Sequence, residues 1–196
     1  MNRRSQWVAA MLVGFFSMAS SAATVDLAGV NIPDTTEIAG KKLVLNGAGV
    51  RYKSIFKVTV IALYLGKKSA SADEVYAASG PKRVTITLLR DVDGAEIGKT
   101  FSRGLGDNTT KGQMSQLVPG LIKLGNLLSG QKRFLAGESI SIDWVPEVGT
   151  TLTSKGKVLD VVFKEPEFFN GIMSIWLGPT PVDWRLKDAL LGSPSS

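Results

Sequence analysis

Arg51 makes the strongest claim to chemistry in this chain. It follows Asn46-Gly47-Ala48-Gly49-Val50 and precedes an apolar stretch whose side chains should face an interior. A guanidinium beside apolar surface is costly unless an anion or carbonyl oxygens satisfy it. Arg51 is therefore half of a salt bridge, a solvent-facing side chain, or the anchor of an anionic ligand. Gly47 and Gly49 suit each of these, because a residue without Cβ permits a bulge or a close backbone approach. The rest of the inventory restricts what Arg51 could serve. Among 196 residues there is no histidine and no cysteine. Those absences remove Ser-His-Asp and Cys-His catalysis, thiolate nucleophiles, Cys/His zinc sites, iron-sulfur clusters and disulfides. No side chain has an unperturbed pKa near neutrality either. Any chemistry must come from Arg, Lys, Tyr, Thr, Ser, Asn and carboxylates, so binding is the default over catalysis, and no metal or cofactor is expected.

Three other short motifs lose to simpler readings. Asp91-Val92-Asp93-Gly94 begins like a calcium loop, but its glycine comes at the fourth position instead of the sixth and no bidentate Glu follows at the twelfth, so it is read as a cap and turn. Asn108-Thr109-Thr110 matches a glycosylation sequon and is read as a helix start. Gly104-Leu105-Gly106 lacks the third glycine and the preceding strand of a dinucleotide site.

These residues need elements to hold them. Residues 42–51 and 55–65 read as strands, the second rich in β-branched and aromatic side chains. Residues 71–78 read as a short helix, with Ser71 at its cap and Asp73 and Glu74 in its first turn. Over residues 83–89, Val84, Ile86 and Leu88 alternate with Thr85 and Thr87, the pattern of a half-buried strand. Asp93 is placed to cap a helix running to about Leu105, whose Ile97, Phe101 and Leu105 recur every four residues. Residues 113–128 carry Leu117, Leu121, Leu124 and Leu128 at helical spacing, with Pro119 as a kink or first-turn residue. Residues 139–145, 150–154 and 158–163 read as an antiparallel meander, and 168–177 and 184–191 as closing helices. That order implies an α+β fold, with helices packed on one face of a mainly antiparallel sheet.

The first 23 residues read as a cleaved leader. Arg3 and Arg4 precede a 12-residue apolar run over 7–18, and Ala19-Ser20-Ser21-Ala22-Ala23 offers small residues for a peptidase. The run is too short to span a bilayer, so an exported protein, periplasmic or secreted, is expected, with no integral membrane segment after cleavage and one domain over residues 24–196. Without Arg3 and Arg4 the chain keeps 21 basic against 17 acidic residues, a net charge of +4. The basic pairs Lys41-Lys42, Lys67-Lys68 and Lys132-Arg133 are scattered and lack interleaved aromatics, which argues for a solvated surface and against a nucleic-acid partner.

Taken together, Leu45-Asn46-Gly47-Ala48-Gly49-Val50-Arg51, the strand through Phe56-Lys57-Val58-Thr59-Val60-Ile61, Pro81-Lys82-Arg83 leading into Leu88-Leu89-Arg90-Asp91, and Phe168-Phe169 with Ile175-Trp176-Leu177-Gly178 resemble the chalcone isomerase superfamily in its bacterial chalcone isomerase-like branch. The resemblance implies an open-faced sandwich with a ligand cleft between sheet and helices. It also matches Arg51 to the arginine that holds the substrate oxyanion in the plant enzymes, and Thr59 to a threonine that assists the ketone. By the same register Ile97 stands where the catalytic tyrosine would be, Gly104 replaces an active-site asparagine, and Ile175 replaces a small polar residue. Other members of the superfamily bind fatty acids through an equivalent arginine, and a planar guanidinium suits a carboxylate. The expected function is non-catalytic binding of a small amphipathic acid, foremost a fatty acid. The alternatives are weak intramolecular lyase activity on a phenolic enone and a ligand-free accessory role.

Overall fold

The computed structural model of the chain describes residues 23–193, so the expected leader lies outside the described residues except for Ala23. A hairpin of β1 (Thr24–Leu27) and β2 (Val30–Pro33) leads into β3 (Thr35–Ile38), β4 (Lys41–Lys53) and β5 (Phe56–Leu65). Helix α1 (Ala72–Ala77), β6 (Lys82–Leu88) and the two-residue β7 (Val92–Asp93) follow, then α2 (Gly94–Gly106) and α3 (Lys111–Gly130). The chain continues through β8 (Arg133–Phe134), the meander β9 (Ser139–Val145), β10 (Gly149–Ser154) and β11 (Lys157–Phe163), and closes with α4 (Pro166–Leu177) and α5 (Trp184–Leu190). The main sheet has seven strands in the order β11-β10-β9-β6-β5-β4-β3, each pair antiparallel. The fold is α+β, as the element order implies.

Local chemistry explains most boundaries. Ser71 accepts from the Glu74 backbone to start α1, and Thr110 with Gln113 forms a reciprocal capping box at the start of α3, which is the structural use of the sequon-like triplet. Asp93 does occupy the N-cap position of α2, but its side chain makes no capping hydrogen bond. Pro119 sits inside α3, neither in its first turn nor at its end.

Strand β5 alternates between two cores. Ile61, Leu63 and Leu65 join the large cluster beneath the helices, while Val60, Ala62 and Tyr64 join a smaller one with Ile32, Ile38 and Leu43. The first hairpin thus covers the opposite face of the sheet at its β4–β5 end, an element the sequence reading did not contain. The Tyr64 hydroxyl donates to the Pro33 carbonyl at 3.0 Å and fastens that cover. Burial pushes the Tyr64 pKa up to about 12.

On the helical face, α5 lies directly on β4. Asn46, the extra residue at a bulge in β4, is buried, donates to the carbonyls of Ser69 and Leu190 and accepts from the Ser69 backbone. This buried amide is fully used and holds the last turn of α5 against the strand.

Candidate ligand-binding cleft

Gly47, Gly49 and Arg51 project from the same face of β4, opposite Leu63, Ile61 and Thr59 of β5. The glycines accommodate α5, and Arg51 is the first residue of this row whose side chain reaches beyond that helix. Arg51, Thr59 and Leu88 form one cross-strand row, and Ile61, Ile86 and Ile140 form the next. These two rows are the floor of a cleft of about 750 Å³. Its walls come from α2 through Ile97, Thr100, Phe101 and Gly104, from α4 through Ile175 and Trp176, and from Thr180-Pro181-Val182. The size falls within the ~300–1,000 Å³ usual for small-molecule sites.

Arg51 is half-buried, and its Nε is fully buried with no hydrogen-bond partner. Burial lowers its pKa, opposed by the charges of Asp183 and Glu96. Neither carboxylate bonds it. Asp183 accepts from the backbone of Leu186 through Oδ1 and of Tyr52 through Oδ2, each at 3.2 Å. Glu96 is held by Lys53 at 3.0 Å across the mouth of the cleft, and that bond lowers its pKa. Arg51 enters none of the ion pairs among the described residues. Thr59, directly opposite, is 6% exposed, and its Oγ1 is likewise buried and unpartnered. Two unpaired polar atoms on adjacent strands therefore belong to residues on the floor of one cleft, among apolar neighbours, each a group whose burial is unfavourable until something bonds it.

The other three residues singled out by sequence also line the cleft. Ile97 is partly buried on the wall of α2. Gly104 and Ile175 touch: a Cβ on Gly104 would lie 2.7 Å from Ile175 Cγ2, so this glycine sets the approach of α2 to α4. Phe101 and Trp176 pack edge to face at 5.8 Å across the same junction. The lining contains no tyrosine among the described residues; its hydroxyls belong to Ser54, Thr59, Thr100 and Thr180. Sequence reasoning missed the rim, where Lys53, Phe56 and Arg90 stand. The alternation of Val84, Ile86 and Leu88 did identify the face that supplies the floor.

A family model described as chalcone isomerase-like matches residues 24–192. The chain belongs to the chalcone isomerase-like family. Among solved structures, this chalcone isomerase-like chain is similar to a fatty-acid binding protein of Arabidopsis thaliana, with a TM-score of 0.71 and 15% identity over 86% of this chain and 96% of that one. At that identity the likeness speaks for the fold. Comparison with curated protein sequences gives no match. No helix among the described residues is long and apolar enough to cross a membrane.

Proposed function

We propose that this chalcone isomerase-like protein is exported and binds a small amphipathic acid, a fatty acid, without catalysing a reaction on it. The observation that carries the reading is the pair of buried, unpartnered atoms, Arg51 Nε and Thr59 Oγ1, in the mainly apolar floor of the cleft. A carboxylate would satisfy both. Ile61, Ile86, Leu88, Ile140 and Phe101 then receive the acyl chain. The Arabidopsis neighbour is a fatty-acid binding protein, which supports the same ligand class, and the basic n-region, apolar run and small residues at the N-terminus support export.

Affinity and orientation come from different parts of the ligand. Burying an acyl tail contributes roughly 0.8 kcal/mol per methylene, so a chain of ~12 to 16 carbons contributes on the order of 10 kcal/mol before ordering and association costs. The charged head adds about 1.5–3 kcal/mol net and fixes the direction of entry. Isomerase chemistry needs more than Arg51. Charge builds on a ketone oxygen as a phenolate adds to the enone, and loss of one positioned donor typically costs ~100–1,000-fold in rate. Ile97 donates nothing, and no tyrosine replaces it among the described lining residues.

Mass spectrometry of organic extracts from the purified protein tests the ligand class, with acyl chains expected; aromatics alone, or nothing even after equilibration with fatty acid, would contradict the reading. Incubation with a chalcone should give no cyclisation above the spontaneous rate. Stereoselective product that disappears in Arg51→Ala would instead establish lyase activity.

A further inference from the structure

The mouth of the cleft is built around a tight turn. Lys53 pairs with Phe56, which leaves Ser54 and Ile55 as the tip between β4 and β5, and Ser54 takes a left-handed φ of 57°. Turn tips favour Gly, Pro, Asn, Asp and Ser. Here the second tip residue is Ile55, 81% exposed and the most exposed large apolar side chain among the described residues, and Phe56 beside it is 59% exposed. Trp184, which follows the aspartate bonded to the Tyr52 backbone, is 60% exposed at the same end of the sheet. Scattered single apolar residues on a surface are ordinary; neighbouring ones at the rim of a ligand cleft call for something that covers them.

The charges around the tip indicate what that is. Lys53 and Glu96 neutralise each other, Asp91 is engaged by Arg133 at 3.3 Å and Asp107 by Arg103 at 3.9 Å, and Asp183 caps α5. Lys57, opposite Tyr52 in the hairpin, and Arg90, 5.9 Å from the Phe56 ring, enter none of the ion pairs among the described residues. Lys187 lies 5.0 Å over the Trp184 ring. The apolar tip is thus bordered by two cations, Lys57 and Arg90, that no ion pair among the described residues engages. We propose that the β4–β5 tip docks the protein on an anionic lipid bilayer, with Ile55 and Phe56 entering the boundary between headgroups and acyl chains and Lys57 and Arg90 facing the phosphates. Aromatic and aliphatic side chains bordered by cations are suited to that interface. The inference deepens the fatty-acid reading and rests on it for the cargo. Phe56 belongs to both the tip and the cleft lining, so an acyl chain could pass from bilayer to cleft without crossing bulk water.

Flotation of delipidated protein with vesicles of phosphatidylcholine, with and without phosphatidylglycerol, tests the docking. Binding is expected to the anionic vesicles and should weaken with added salt. Lys57→Ala and Arg90→Ala should each reduce it about fivefold, and Ile55→Ser about tenfold or more. Ile55 does not line the cleft, so Ile55→Ser should keep its affinity for fatty acid in solution while taking up acyl chains from vesicles more slowly. Equal binding to neutral and anionic vesicles, or indifference to Ile55→Ser, overturns the proposal. So does a concentration-dependent dimer, seen by sedimentation and lost in Ile55→Ser, without vesicle binding, because the tip would then be a contact between two copies. Flotation involves no cargo. Docking without fatty-acid affinity would fail the proposed function alone, and fatty-acid affinity without docking would fail this inference alone.

Discussion

Gly47 and Arg51 lie on one face of one strand, yet their surroundings are opposite. A Cβ on Gly47 would fall on the carbonyl oxygen of Ala189 and 2.7 Å from that of Leu190, so the strand and the helix backbone are in direct contact there. Arg51 meets a cleft, and its Nε meets no partner. Gly49 is intermediate: its Cβ would meet Ala189 Cβ at 2.9 Å and Leu186 Cδ1 at 3.0 Å. A run that reads as one ligand motif, Gly-Ala-Gly-Val-Arg, is two devices in series. The glycines seat the body of α5, its cap Asp183 reaches the backbone of Tyr52, and the Arg51 side chain between them lines the cleft. Close packing at one end of the row creates the opening at the other.

The largest effect that could break this comparison is on folding. Gly47→Ala drives a methyl into backbone that cannot rotate away, and should lower unfolding free energy by about 3 kcal/mol, at the upper end of overpacking costs. Gly49→Ala meets side chains and should cost about 1 kcal/mol. Denaturant midpoints with unchanged slopes measure both. Equal, small effects would mean that α5 slides freely, and the division of the row would be wrong.

Arg51→Ala should show the reverse profile. Its guanidinium has no ion pair to lose among the described residues, so stability without ligand should hold or rise, while fatty-acid affinity falls roughly 10- to 150-fold, the equivalent of a charged hydrogen bond. Titration calorimetry with acids of two chain lengths separates head from tail. The fold-loss should be the same for both lengths, since the tail contacts are untouched. A destabilised Arg51→Ala with intact affinity would return Arg51 to a structural role.

pH sharpens the contrast between packed face and cleft. Arg51 stays cationic and the Glu96 pKa is lowered, mainly by its hydrogen bond to Lys53, so binding should be flat between about pH 6 and 8 once ionisation of the free ligand is included. The packed regions respond at high pH. Burial raises the pKa of Tyr64 and of Tyr76 to about 12 in the folded protein, against about 10 in the unfolded chain. Each phenol therefore favours folding below pH ~10, and that contribution is lost as pH rises towards ~12. Stability should fall across this window, and each Tyr→Phe variant should flatten part of the slope. At neutral pH the two differ. Tyr64→Phe loses a hydrogen bond to Pro33 and should cost about 1 kcal/mol, whereas the Tyr76 hydroxyl has no partner to lose.

How far the sequence reaches into this architecture depends on the kind of signal. The strands and helices that build the cleft have clear periods: Val84, Ile86 and Leu88 alternate, and Ile97, Phe101 and Leu105 recur every four residues. Both patterns are locally determined, and the structure reproduces them. β1, β2 and β3 are four residues each, mix polar with apolar side chains and include Pro33, so no window on them is long enough to show a period. Their existence was nevertheless encoded in β5. A continuous run of apolar and aromatic residues from Val60 to Leu65 has two faces to bury, and helices can cover only one. Arg51 and Thr59 could be named from sequence because their residue types are anomalous beside apolar neighbours. That both lack partners could not, since it depends on where Asp183 and Glu96 spend their oxygens.

Thr59→Val gives the smallest effect and the most discriminating one, because its two consequences have opposite signs. The side chains are nearly isosteric, so packing in the row between Arg51 and Leu88 should persist. The Thr59 hydroxyl is buried without a partner in the ligand-free protein, and a buried hydroxyl without a hydrogen bond costs about 1–3 kcal/mol. Its removal should therefore stabilise the ligand-free fold by about 1 kcal/mol. In the complex the same hydroxyl would donate to the carboxylate, and its loss should weaken fatty-acid binding by about 0.5–1.5 kcal/mol, roughly two- to tenfold. A purely structural threonine would give a stability change alone, and a hydroxyl already satisfied by solvent would give neither. Only a donor held in reserve for a ligand makes the empty protein firmer and the filled one looser when it is removed. Melting curves with and without fatty acid should thus move closer together in Thr59→Val than in wild type, and an unchanged separation would take Thr59 out of the binding site.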